Sequence, residues 1–367
     1  MTLIERAGSI HIHTDYSDGA GTHAEVAEAA AGAGLDFVVV TDHNVLAREH
    51  EGWRSRVLVL VGEEVHDPAA PDVNHLLVLG AERDLAPLAG DPQALLRAAQ
   101  AHGGLAFIAH PHERAGRAIA EGAIDWVAWD AEGYTGLEIW NYMSEFKGLL
   151  SSRLAAVALA YAPRLGIRGP FPETLARWDA LLARGGVVYA LGGADAHAQE
   201  YALGPLRRRV FDYPHLFRAV TTHVLVSGEW TGRLDHDARL VYEALAAGRA
   251  FVAYDALADA RGFRFTAEDE VEERPMGATV PAWHGLALRI EAPRDAYLRL
   301  VRHGEVVAEG EGCCLVFPNP FPGAYRAEAY LHHALRRRGW IFSNPIFVRS
   351  VACPGPERPP ADGSPFC

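Results

Sequence analysis

The stretch GSIHIHTDYSDGAGTHAEVAEAAAGAG, residues 8–34, decides how this chain folds. Ile10 and Ile12 alternate with His11 and His13, so a regular strand turns both imidazoles to one face and both isoleucines to the other. Thr22 and Glu25 then have capping-box spacing, and the Gly-rich finish marks a helix of about three turns. Next comes DFVVV (36–40), an apolar strand that delivers Thr41, Asp42, His43 and Asn44 at its end. The same grammar repeats outward. VLVLV (57–61) leads to Glu63 and Glu64, and DPQALLRAAQAHGG (91–104) reads as a helix with Asp91 as cap and Pro92 in its first position. LAFIA (105–109) ends at His110, and GLEIWN (136–141) and VVYALGGADAH (187–197) add two further strand ends. Apolar strands alternating with amphipathic helices predict a parallel sheet covered by helices, with polar residues gathered at the carboxyl rim of a barrel.

Nine side chains in this series are candidate metal ligands: His11, His13, Asp18, His43, Glu64, His75, His110, Asp195 and His197. Imidazoles and carboxylates are the donors that borderline-hard divalent cations accept, and nine are too many for one ion. The ordered set HxHxxxSDG (11–19), TDH (41–43), GxE (62–64), a downstream His75, AHP (109–111) and DAH (195–197) resembles the polymerase-and-histidinol-phosphatase (PHP) superfamily from about residue 8 to 250. NHLLVLG (74–80), EIWN (138–141) and YEALAAGRAFVA (242–253) most resemble its carbaryl-hydrolase-like CehA/McbA branch.

The resemblance implies an α/β fold, a distorted (β/α)7 barrel, holding two to three divalent ions such as Zn2+, Mn2+ or Fe2+. Carried over position by position, it implies one ion on His11, His13, Glu64 and Asp195. Glu64 bridges to a second ion on His75 and His110, and Asp18, His43 and His197 hold a third. Glu64 is preferred to Glu63 on the GxE spacing, with Glu63 as the fallback, since strand alternation lets one of the two face the barrel mouth. Neighbouring ions would acidify a bridging water into a hydroxide nucleophile. The implied activity is a metal-dependent hydrolase, first a phosphoesterase on a small organic phosphate. The alternatives are a carbamate, ester or amide hydrolase and a non-catalytic metal-binding module.

Around the ligands, Asp42 is expected to accept the His43 ring N–H, His112 to protonate a leaving group or touch substrate, and Glu138 to orient a ligand on the same side of its strand as Trp140. Arg48, Arg114 and Arg168 are candidate phosphate clamps, because guanidinium pairs bidentately with phosphate. Residues 141–166 read as one helix and 172–186 as another, a lid whose Tyr142, Phe146 and Tyr161 are candidates for an apolar pocket.

The chain has 367 residues, enough for two domains, and a formal charge of −13 that argues against a sequence-independent nucleic-acid footprint. Residues 1–260 are assigned to the metallohydrolase barrel. Beyond them, short alternating strands with Gly and Pro turns predict a small antiparallel β-sandwich over 261–350, then a Pro-rich irregular tail over 351–367. The adjacent His332 and His333 read as edge residues. The four cysteines, Cys313, Cys314, Cys353 and Cys367, lack CxxC spacing and read as reduced thiols. With no signal-peptide pattern and no apolar run of spanning length, the expectation is a cytoplasmic protein with a small-molecule substrate, no nucleic-acid or membrane partner, and a possible homo-oligomeric state.

Overall fold

The computed structural model describes residues 3–203, 206–333 and 336–350. The expected tail, with Cys353 and Cys367, lies outside the described residues. Seven strands close a ring: β1 (Ile4–Ile12), β2 (Phe37–Val40), β3 (Val57–Val65), β4 (Leu76–Leu79), β5 (Leu105–Ile108), β6 (Gly136–Asn141) and β7 (Tyr189–Ala196). Each pairs with the next, and β7 returns to β1. The expected all-parallel sheet is corrected at β4, which runs antiparallel to both β3 and β5. The β3–β4 connection of about ten residues is short for the crossover that a parallel pair requires. This reversal puts the amino end of β4, with His75 just before it, on the same rim as the carboxyl ends of the other strands.

Alternation along the strands sorts the core into layers. One cluster joins Ile10, Phe37, Val39, Leu58, Leu60, Leu77, Phe107 and Leu191 with Leu240 and Val241, which lie on a helix at the far end of the barrel. Leu58, Leu60 and Glu64 share one strand face, so the same register that fills this layer aims the carboxylate along it. On the opposite face, Val38, Val40, Val57 and Val59 pack against Val26, Ala27 and Ala30 of α1 (His23–Ala33). Fully burying side chains of this size contributes about 1.5–3 kcal/mol each. α1 carries the expected Thr22–Glu25 capping box, and α2 (Pro92–Ala101) carries the Asp91 cap.

The lid region differs from its reading as one long helix. It breaks into α3 (Tyr142–Leu149) and α4 (Arg153–Tyr161), because the Ser152 side chain accepts from Ala155 N and starts a new helix. α5 (Pro172–Ala183), α6 (Tyr213–Leu216) and α7 (Leu234–Ala246) follow.

The sheet continues into a β-rich C-terminal region. β8 (Val220–Val226) runs antiparallel to the first half of β1, and β9 (Ala250–Tyr254) pairs with β8. Where short separate strands were expected, residues 287–302 form one bent strand, β11 (Ala287–Arg302), whose register shifts between Glu291 and Ala296. Its first half pairs with β10 (Arg264–Glu268) and its second with β13 (Gly323–His333). Likewise EVVAEG and CCLVFP form one strand, β12 (Glu305–Pro318), on which Cys313 and Cys314 are exposed free thiols. This bent hairpin closes over a core that includes Phe265, Leu288, Ile290, Leu300 and Trp340. The other edge of β9 pairs with β14 (Arg336–Ser343). Arg326 of β13 makes two 2.8 Å bonds to Asp179 of α5, clamping the two regions together.

His223 of β8 is fully buried between Glu5 (2.8 Å) and Asp255 (3.0 Å). Burial opposes its charge, but Asp255 and Glu5 outweigh burial and raise its pKa to about 9. The folded pKa therefore exceeds the unfolded one, so this stabilisation is complete below about pH 6.5 and is lost as pH rises through about 9. His223→Gln should lower stability in urea melts by about 2–4 kcal/mol at pH 6, with the deficit shrinking above pH 9. A deficit that does not change with pH would show that the ring is neutral in the fold.

Candidate metal centre

All nine ligand candidates converge on the barrel rim around Glu64, which is buried to 1% exposure. Its Oε2 lies 3.0 Å from His11 Nε2, 3.2 Å from His13 Nε2 and 3.2 Å from His43 Nδ1. Its Oε1 lies 2.8 Å from His75 Nδ1 and 3.1 Å from His110 Nε2. Asp195 Oδ1 approaches His11, His13 and His197 at 3.3–3.4 Å. Asp18 Oδ1 faces His197 at 3.2 Å and His13 and His43 at 3.8 Å. His13 thus stands in both the Glu64 and the Asp18 groups, whereas the resemblance assigns it to one ion.

The local backbone is built for this convergence. His11, His110 and Asp195 adopt positive φ of 67°, 26° and 53°, a conformation that costs non-glycine residues of order 1 kcal/mol or more. The regular alternation expected for His11 and His13 therefore does not hold, and a twist at His11 brings the two rings to 5.2 Å. Gly193 is required where it stands, since a Cβ there would lie 2.1 Å from Glu138 Oε1 and 2.8 Å from His11 Cβ.

The donor set fits divalent metal on this structure's own chemistry. An imidazole lone pair and a carboxylate oxygen at about 3 Å repel unless a proton or cation lies between them. Both ring nitrogens of His13 and Nδ1 of His43 are buried with no hydrogen-bond partner, an arrangement rare in a core unless a ligand completes it. Burial pushes the Glu64 carboxyl up, but His11, His43 and His75 outweigh it and hold the pKa well below the usual range. Burial likewise opposes charge on His11, and Glu138, Glu64 and Asp195 override it to raise its pKa well above the ordinary value.

The surrounding candidates divide. Glu138 accepts from His11 Nδ1 at 2.9 Å and from the His110 and Asn141 nitrogens at 2.8 and 3.0 Å, so it fixes the His11 tautomer. It does not share a regular face with Trp140, because the register slips between them and Trp140 packs against Tyr254 and Phe342. Glu63 turns away to accept from Leu85 N, and burial raises its pKa to about 8. Asp42 does not bond the His43 ring. It accepts from Thr14 N, Thr14 Oγ1 and Ser17 Oγ at 2.6–2.7 Å, tying down the loop that carries Asp18. His112 stacks on Trp129 and approaches Thr174 Oγ1 at 3.4 Å, away from the cluster. Arg48 pairs with Glu51, Arg114 with Glu173, and Arg168 is exposed, so none of the three lines the site. His332 is an exposed edge residue, as expected.

Above the cluster opens a cavity of about 320 Å³. Phe146 lines it as expected, but Tyr142 is buried against His215, and Tyr161 is exposed with its ring under Arg208. Sequence reasoning missed Lys147, Glu113 and Arg208 on the walls, and Asn141, whose Nδ2 donates to both Glu138 and Asp195. It also missed His66, stacked 4.3 Å from His75. Alternation from Glu64 would have found His66, whereas nothing local marks the wall residues.

No protein-family model matches the chain, and no curated protein does. Among solved structures, it is similar to a two-domain Bacteroides vulgatus protein containing a predicted PHP-like metal-dependent phosphoesterase. That likeness has a TM-score of 0.45 and 15% identity, covering 94% of this chain and 95% of the other. An amidohydrolase of Chromobacterium violaceum with bound sulfate and no metal is similar at a TM-score of 0.29 and 16% identity, covering 57% of this chain and 95% of that one.

Protein purified from medium supplemented with Mn2+ or Zn2+ should retain more than one metal equivalent per chain by mass spectrometry, and less than about one would refute a multinuclear site. Glu64→Gln should lose most of that metal. Glu138→Gln, which removes an outer support, should weaken affinity about 10–100-fold with circular dichroism unchanged.

Proposed function

We propose that the protein is a metal-dependent hydrolase, and specifically a phosphoesterase acting on a small organic phosphate. The observation that carries this reading is Glu64, buried at the cavity floor with one oxygen facing three imidazoles and the other facing two. Ions held there by the nine side chains would lower the pKa of water and neutralise charge developing on substrate oxygens.

The chain's own residues supply the rest. Glu138 holds the His11 ring so that Nε2 faces Glu64. Asp42 fixes the loop that sets Asp18 beside His197. A carbamate, ester or amide hydrolase would use the same ligands, so substrate panels separate the readings. Chelation should abolish phosphoester hydrolysis, and added Mn2+ or Zn2+ should restore it. His197→Ala should lower kcat at least 100-fold with the fold intact. Hydrolysis of p-nitrophenyl acetate with no action on any phosphoester would replace the phosphoesterase reading with the ester one.

A further inference from the structure

The cavity walls carry information that the metal ligands do not. Met143, Phe146, Leu150 and Val157 of the α3–α4 region form one side, and Ile119 and Ile124 add to it. That side offers no hydrogen bonds, so covering a hydrocarbon there removes apolar surface from water, while Gln199 and Tyr201 line other parts of the cavity.

The charged groups on the walls are unequal. Lys147 is neutralised by an ion pair with Glu113, and Glu113 also accepts from Ser144 Oγ (2.6 Å) and Ile124 N (2.8 Å). This pair is internally satisfied. Glu121 makes no ion pair among the described residues, and burial raises its carboxyl pKa. Arg208 differs from both. Its guanidinium lies 4.0 Å over the Tyr161 ring, its Nε is buried with no hydrogen-bond partner, and no carboxylate lies within ion-pair distance among the described residues. A guanidinium stacked on a ring is held in orientation while its in-plane N–H groups stay free for an oxyanion.

We propose that Arg208 is the residue that recognises the substrate's anionic group, and that the apolar wall seats a hydrocarbon substituent. The substrate class is then a phosphomonoester of an apolar alcohol or phenol. The reaction in this assignment rests on the phosphoesterase reading above, but the binding assignment does not.

Binding of two non-hydrolysable probes, phenylphosphonate and methylphosphonate, to the metal-loaded protein by calorimetry tests it. Wild type should bind phenylphosphonate at least tenfold more tightly than methylphosphonate. Arg208→Gln should weaken both about tenfold with metal content and thermal stability unchanged, and Arg208→Lys should recover part of that loss. Val157→Asn should shrink the phenyl preference, lowering phenylphosphonate affinity more than methylphosphonate affinity. Equal affinity for the two probes, or full affinity in Arg208→Gln, overturns the assignment. Phenyl phosphate turnover is read separately: no hydrolysis alongside a retained phenyl preference would overturn the phosphoesterase reading and leave the binding assignment standing.

Discussion

A carboxylate buried to 1% exposure needs positive charge or several hydrogen-bond donors around it to stay ionised, and five imidazole rings crowd Glu64. A neutral imidazole can offer that carboxylate one N–H at most, and no net charge. The centre therefore needs either several protons or a smaller number of cations, and much of the surrounding architecture serves this requirement. β4 reverses direction so that His75 reaches the rim, and β1 and β7 meet where Gly193 leaves room for Glu138 against His11. Positive φ at His11, His110 and Asp195 places backbone strain on the ligands themselves, and the closed barrel around them sustains it.

The supporting contacts divide the labour. Glu138 works on ring orientation, through one oxygen to His11 and the other to the His110 backbone. Asp42 works on loop position, through three hydrogen bonds to residues 14 and 17. Neither touches the cavity, yet each carries one or more ligand candidates with it. The walls above and the floor come from different parts of the chain. α3 and α4 supply the apolar surface, and the strand Leu206–Arg209 supplies Arg208.

Much of this was legible in the sequence, and the pattern of misses is physical. Alternation located β1, short apolar runs located β2 and β3, and capping chemistry located α1 and α2, because those signals act within a few residues. The choice of Glu64 over Glu63 rested on the GxE spacing of the resemblance, and the two carboxylates face opposite ways, as strand alternation requires. The direction of β4 was not legible, since an apolar run reads the same in either orientation. Asp42 and His112 were misjudged for a related reason: adjacency in sequence to a ligand says little about which neighbour a side chain will bond. Arg208 is more than 40 residues from α4 and reaches the cavity only through tertiary packing, so no local pattern announces it. The bend in β11 was missed because a break in hydrophobic alternation marks a bulge and a turn alike.

The most direct test of the account is anomalous X-ray diffraction from crystals of the metal-loaded protein, with data collected on both sides of the metal absorption edge. The account predicts at least two anomalous peaks, with Oε1 and Oε2 of Glu64 bound to different ions. A single ion, or ions that leave the Glu64 carboxylate uncoordinated, would contradict it.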